Sequence, residues 1–137
     1  MIVLDTNVIS EPLRSQPSPK VMGWLDNQAA ETLFITAVSR AELRFGVLKL
    51  PDGKRKNALR THIDRVLNLF EDRMLSFDGA AADQLAIIAA RCEKMGKRAV
   101  APDAYIAACA AARGFAVATR NVGHFVQTGV PVINPWE

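Results

Sequence analysis

Short apolar runs along the chain alternate with longer stretches in which apolar residues recur every three or four positions. The first pattern marks buried strands and the second amphipathic helices. Met1–Leu4 is apolar, ends at Asp5 and is too short for a helix, so it predicts a strand. Ser10–Pro19 holds three prolines among polar residues and predicts a turn or a broken helix end. Lys20–Gln28 predicts a short helix with Val21, Trp24 and Leu25 on one face. Thr32–Thr36 predicts a second strand. Ser39-Arg40-Ala41-Glu42 then has the S-x-x-E form of a capping box, opening a helix to about Leu48 whose core-facing stripe is Val38, Ala41, Phe45 and Leu48.

Beyond the turn Pro51-Asp52-Gly53, Lys54–Arg73 carries Leu59, Ile63, Val66, Leu67 and Phe70 at helical spacing, with Lys54, Arg55, Lys56, Arg60 and Arg65 on the other face. Met74–Phe77 predicts a third strand. Asp78 is the expected cap of a helix over Gly79–Lys94. Pro102 is expected at the first helical position before Asp103–Arg113, with Gly114 as the stop. Phe115–Thr119 and Val130–Ile133 predict two more strands. Of the 21 alanines, 16 lie between Ala80 and Ala118, which favours helices that approach one another closely. Strands alternating with helices predict a three-layer α/β domain with a short, mainly parallel five-stranded sheet flanked by helices.

Composition narrows this picture further. The 137 residues suit one domain, 1–137, and a 50% hydrophobic, 23% charged balance excludes disorder as the main state. The longest apolar stretch, near Ala104–Ala112, is too short to span a bilayer. No signal peptide is expected, because MIVLDTNVIS has no basic segment and Asp5 interrupts it. Net charge is +3, compatible with a nucleic-acid partner without implying one. Cys92 and Cys109 stand in alanine-rich helical segments without a CxxC or a neighbouring histidine. They read as small buried hydrophobes in a reducing cytoplasm rather than zinc ligands.

Three acids stand out. Asp5 ends the first strand, where open parallel sheets bind ligands, although it also suits the cap of a helix beginning at Thr6. Glu42 borders the apolar stripe of its helix, although the capping box offers it the Ser39 backbone. Asp103 heads the inward series Asp103, Ile106, Ala107, Ala110, although an acid in a first turn is also favoured by the helix dipole. Each has a packing explanation when taken alone. Three carboxylates converging above one sheet edge would repel unless a hard divalent cation joined them. Mg²⁺, with Mn²⁺ as the substitute, takes oxygen ligands and keeps waters that can attack a phosphodiester. No His/Cys set points to zinc instead.

The chain resembles the PIN-domain ribonucleases, and more closely the VapC-type toxins of bacterial toxin–antitoxin pairs, including their FitB-like branch. The resemblance rests on Leu4–Ser10 (LDTNVIS), Ser39–Leu43 (SRAEL), Pro102–Ala107 (PDAYIA), Val117–Phe125 (VATRNVGHF) and Val132–Trp136 (VINPW), in order over the whole chain. It implies a Mg²⁺-dependent endoribonuclease, a cognate antitoxin that blocks the active site, and a homodimer. DNA would be met only indirectly, through the antitoxin. By position, Asp5, Glu42 and Asp103 match the family's acidic metal site. Thr6 and Asn7 match the first motif and would orient Asp5, and Ser39 matches the small hydroxyl residue before the glutamate. Many relatives carry a fourth acid at the position of Asn121 or of His124, and here neither is acidic. Asn121 can still hydrogen-bond a water, but a second metal position is left open.

Arg120, beside the expected site, and Arg40, on the Glu42 helix, are candidates for RNA contact. The basic face at Lys54, Arg55, Lys56 and Arg60 is another, set against the ordinary fate of a solvated face. His124 is read as a surface or structural residue rather than a general acid, and His62 as solvated. Two other functions remain. One is a phosphoryl-transfer or phosphatase-like Mg²⁺ enzyme, against which Asn7 stands where a D-x-D motif needs its second acid. The other is a catalytically weakened binding protein on the same fold.

Overall fold

The computed structural model describes residues 1–137. Five strands, β1 (Ile2–Leu4), β2 (Leu33–Thr36), β3 (Met74–Leu75), β4 (Ala116–Ala118) and β5 (Val132–Ile133), form one sheet in the order β3-β2-β1-β4-β5. Every pairing is parallel, so the sheet is wholly rather than mainly parallel. Seven helices surround it: α1 (Thr6–Ser10), α2 (Pro19–Asp26), α3 (Ala37–Leu48), α4 (Lys54–Leu69), α5 (Gly79–Lys94), α6 (Asp103–Arg113) and α7 (Val122–Phe125). None is long and apolar enough to cross a membrane.

Handedness distributes the layers. The chain steps from β1 to β2 to β3 in one direction, then returns across β1 to β4 and β5. Right-handed crossovers put helices of the outward steps on one face and those of the return on the other. Side-chain alternation agrees. Leu4, Leu33, Ile35 and Ala118 join Val8, Val21, Leu43, Val47, Ile63 and Leu67 in the core under α1–α4. Val3, Leu75 and Val117 join Ile88, Ile106, Ala107, Ala110 and Phe125 in the core under α5–α7. Ile35, Ile63 and Ile88 are almost wholly buried, each contributing about 2–3 kcal/mol. Ala107, Ala108 and Ala110 are fully buried, so α6 can lie close to α5 and to the sheet.

The ends of the helices correct the reading of α3. It begins at Ala37, and its cap is Thr36, whose hydroxyl accepts from the Ser39 N–H at 3.1 Å. The expected capping box at Ser39–Glu42 is therefore absent. Its buried positions are Ser39, Leu43 and Val47, whereas Phe45 and Leu48 are 65% and 66% exposed. Of the predicted stripe only Val38 packs against the core, while Ala41, Phe45 and Leu48 face solvent, because α3 turns its Ser39–Leu43–Val47 side to α1 and α4. Asp78 caps α5 as expected, accepting from the Ala81 N–H at 3.0 Å. Pro102 stands one position outside α6, and its carbonyl accepts from Ile106. Gly114 ends α6 in the left-handed region, φ 70°, which lets the Phe115 N–H close back on the Ala110 carbonyl at 3.0 Å.

Candidate active site

The sheet changes direction at β1, flanked by β2 on one side and β4 on the other, so a crevice opens beyond their carboxyl ends. Asp5 stands there, 2% exposed. Its N–H continues the ladder to the Ala118 carbonyl at 2.9 Å. Its Oδ1 accepts from the Thr6 N–H at 2.7 Å, which makes it the cap of α1. Its Oδ2 accepts from the Thr119 hydroxyl at 2.7 Å and from Asn7 Nδ2 at 3.2 Å. Burial pushes the Asp5 carboxyl up from 3.8 to about 6 against the opposing hydrogen bond from Thr119. The negative charge of Asp103 adds to the rise, the Thr6 N–H opposes it, and the charge of Glu42 adds again. Both acids from distant parts of the chain thus act on Asp5.

Glu42 reaches the crevice from α3, where its Oε1 accepts from the Thr6 hydroxyl at 2.6 Å. Thr6 has one hydroxyl hydrogen, and the carboxylate is the stronger acceptor. The 3.0 Å contact between the Thr6 and Ser39 hydroxyls is then closed by the Ser39 hydrogen. Behind Ser39, the Thr36 hydroxyl lies 3.5 Å away. Thr36 and Ser39 are fully buried, so this file of hydroxyls fixes the direction from which Glu42 is held. Glu42 therefore does not return to the backbone of Ser39.

Asp103 enters from the first residue of α6 and is buried, pointing inward as its spacing with Ile106, Ala107 and Ala110 required. Its Oδ2 meets His124 Nδ1 at 2.6 Å. His124 belongs to α7, whose neighbour Phe125 is wholly buried. The reading of His124 as a surface residue holds for half of its side chain, 49% exposed, but its ring is part of this cluster.

The remaining residues divide. Asn7 links two loops, its Oδ1 accepting from the Arg120 N–H at 3.3 Å. Asn121 contributes its N–H, which donates to the Thr119 hydroxyl at 2.9 Å. The Arg120 guanidinium lies over the Trp136 ring, 5.4 Å from its centre. Arg40 stands exposed on α3, outside the hydrogen-bonded cluster. Arg44 pairs with Asp64 and ties α3 to α4. A groove of about 280 Å³ opens beside Thr6 and Glu42, lined by Leu13, Leu43, Leu59 and Ile63 with Arg14. A second cavity, about 340 Å³, lies by Arg91 at the opposite sheet edge and shares no residue with the acids.

Thr36 and Thr119 were not anticipated here, and His124 was expected only as a surface or structural residue. Thr119 had a legible signal: it is the polar residue closing an apolar strand, as Asp5 closes β1. For His124 the signal was its position, where the resembled family often carries a fourth acid, although nothing local relates it to Asp103.

The donors suit a hard cation: carboxylate oxygens, hydroxyls and an amide, around an Asp5 carboxyl raised by burial and then by the charges of Asp103 and Glu42. No three His, Cys, Asp or Glu side chains are gathered tightly enough to ligate one ion together. Mg²⁺ usually binds through one or two carboxylates and keeps several waters, so it does not require such a group.

A parallel sheet with this crevice and these acids is the arrangement of a PIN domain. Residues 2–129 match that family, and the chain belongs to it. It is 46% identical over 138 residues to the plasmid stability protein StbB of Pseudomonas syringae pv. tomato, covering 100% of this chain and 99% of the relative. It is 46% identical over 137 residues to toxin FitB of Neisseria gonorrhoeae, covering 99% of each. A VapC ribonuclease of Sinorhizobium fredii is 44% identical over 138 residues, covering 100% of this chain and 99% of that protein. The crystal structure of FitAcB from Neisseria gonorrhoeae superposes with a TM-score of 0.95 at 46% identity, covering 100% of this chain and 99% of that one.

Proposed function

We propose that this chain is a divalent-metal-dependent endoribonuclease acting as the toxin of a toxin–antitoxin pair, with residues 1–137 forming one PIN domain. Family membership supports the reading, as do full-length relatives named toxin FitB and VapC ribonuclease. The observation that carries it is the Asp5 carboxylate, raised first by its burial and then, in smaller part, by the charges of Asp103 and Glu42. A carboxylate buried beside two other acids calls for a cation.

Asp5 and Asp103 would hold the ion, Mg²⁺ or in its place Mn²⁺, with Glu42 completing the site directly or through water. When bound, such an ion supplies an activated water and stabilises the charge developing on the phosphate. Glu42 orients the attacking water and takes its proton. Thr6 occupies Oε1, so Oε2 is the oxygen free to accept it. Thr119, Thr6 and Asn7 prevent Asp5 from rotating. Ser39 holds Thr6, and Asn121 holds Thr119. Arg120 and Arg40 are assigned to the RNA backbone, with the Arg120 guanidinium lying over the Trp136 ring.

The partners follow from the relatives. FitAB has been solved bound to a DNA fragment, at a TM-score of 0.95 and 45% identity to this chain. By extension, this chain is assigned a cognate antitoxin that blocks the crevice, DNA contact only through that antitoxin, a homodimeric unit and a cytoplasmic location. Purified protein should cleave labelled RNA with Mg²⁺ and not with EDTA. Asp103→Asn should lose cleavage while keeping its melting temperature. Cleavage undiminished by EDTA, or retained by Asp103→Asn, would refute the assignment.

A further inference from the structure

We propose that His124 is a positioning residue that holds the Asp103 carboxylate so that it presents a single oxygen to the divalent ion. This rests on the metal-dependent reading above. An ionised carboxylate only accepts, so the hydrogen in the 2.6 Å contact belongs to His124 Nδ1. That nitrogen carries a hydrogen in the cationic ring and in one neutral tautomer, so the contact survives in both forms. The ring is set by the framework. Phe125, wholly buried beside it, anchors α7, and the His124 N–H closes on the Asn121 carbonyl at 2.9 Å. Asp103 is equally fixed, at the start of a helix whose inner face is buried.

The consequence lies in which oxygens remain. His124 takes Oδ2 of Asp103, and Thr6 takes Oε1 of Glu42. Oδ1 of Asp103 and Oε2 of Glu42 are left without a side-chain donor. Each bonded oxygen keeps a second lone pair but is the weaker base, so a carboxylate held this way binds an ion preferentially through its undonated oxygen. Mg²⁺ is octahedral and takes single oxygens with waters, whereas Ca²⁺ accepts bidentate carboxylates at higher coordination number. His124 therefore both orients Asp103 and favours the smaller ion.

The test measures binding rather than cleavage. Metal-stripped full-length chain, His124→Ala and His124→Asn are titrated with Mg²⁺ and with Ca²⁺ in a calorimeter, and their melting temperatures are recorded in EDTA. Outer-shell partners typically govern 10–100-fold in metal affinity, so His124→Ala should bind Mg²⁺ about 10–100-fold more weakly. Its preference for Mg²⁺ over Ca²⁺ should narrow, and its melting temperature should hold. Asparagine keeps an N–H at the δ position, so His124→Asn should recover most of the affinity. Unchanged Mg²⁺ binding in His124→Ala would overturn the proposal, as would an asparagine variant no better than alanine. If the unsubstituted chain bound no Mg²⁺, the metal-dependent reading would fall and this inference with it. A loss confined to His124→Ala leaves that reading standing.

Discussion

Replacing Asp5 by asparagine should stabilise the metal-free protein at neutral pH. The Asp5 carboxyl is pushed up from 3.8 to about 6, first by burial and then, against hydrogen bonds from Thr119 and Thr6, by the charges of Asp103 and Glu42. Between about pH 4 and pH 6 the folded chain retains a proton that the unfolded chain has released. Stability therefore falls as pH rises through that window and is lowest, as far as Asp5 contributes, above it. The interval from 3.8 to about 6, at about 1.4 kcal/mol per pH unit, comes to about 3 kcal/mol. Asparagine removes this term and still accepts from the Thr6 N–H. The Thr119 hydroxyl can turn to accept from the new amide, but Asn7 Nδ2, 3.2 Å from Oδ2, then faces another donor. That mismatch costs about 1 kcal/mol. The net gain is about 2 kcal/mol at pH 8, or about 5–10 °C in melting temperature for a chain of this length. The assay is thermal unfolding of both proteins in EDTA from pH 4 to pH 8. The variant should be the less stable at pH 4 and the more stable at pH 8. Saturating Mg²⁺ should reverse the order at pH 8, since an ion at 100 times its Kd adds about 2.7 kcal/mol to the form that binds it. Parallel stability curves across this range would mean that Asp5 is not held against its charge.

Thr6→Val should lower stability by about 1–3 kcal/mol, since Glu42 loses its donor and Ser39 its acceptor in a partly buried setting. RNA cleavage should fall with it, while Thr6→Ser, which keeps the hydroxyl, stays near the unsubstituted chain; equal losses in both would exclude the hydroxyl as the cause. The Cys109 thiol is pushed up to about 11, by burial and then by the charge of Asp78. At pH 8 the folded chain should therefore resist a thiol reagent at this position and react once unfolded, as peptide mass mapping would show; rapid native labelling of Cys109 would contradict its burial.

The strands were legible because a buried parallel strand writes itself locally, as a few apolar residues bounded by polar ones. The five observed strands lie within the predicted runs, shortened by a residue or two at their ends. Asp78 and Gly114 were legible for a similar reason, since a cap satisfies backbone groups within three or four residues of itself. The face of α3 was not. Two stripes share that helix: Ala41, Phe45 and Leu48, which is more apolar by composition, and Ser39, Leu43 and Val47, which is the one buried. Burial of Ser39 is tolerable only because Thr6, 33 residues away, and Thr36, at the cap of the same helix, satisfy its hydroxyl.

By itself, the order of residues determined the alternation of strands and helices, the position of Asp5 at a strand end and the inward heading of Asp103, all consequences of backbone periodicity. Tertiary structure alone decided that Thr119 and Asp5, 114 residues apart, share a hydrogen bond, and that His124 meets Asp103 across 21. It also decided that Glu42 is held by Thr6 rather than by its own helix. The reason is one of range. Periodicity and capping act over a turn or a strand, whereas the charges and hydroxyls of this crevice meet only after right-handed crossovers have brought β1, β4 and the starts of α3 and α6 to one edge.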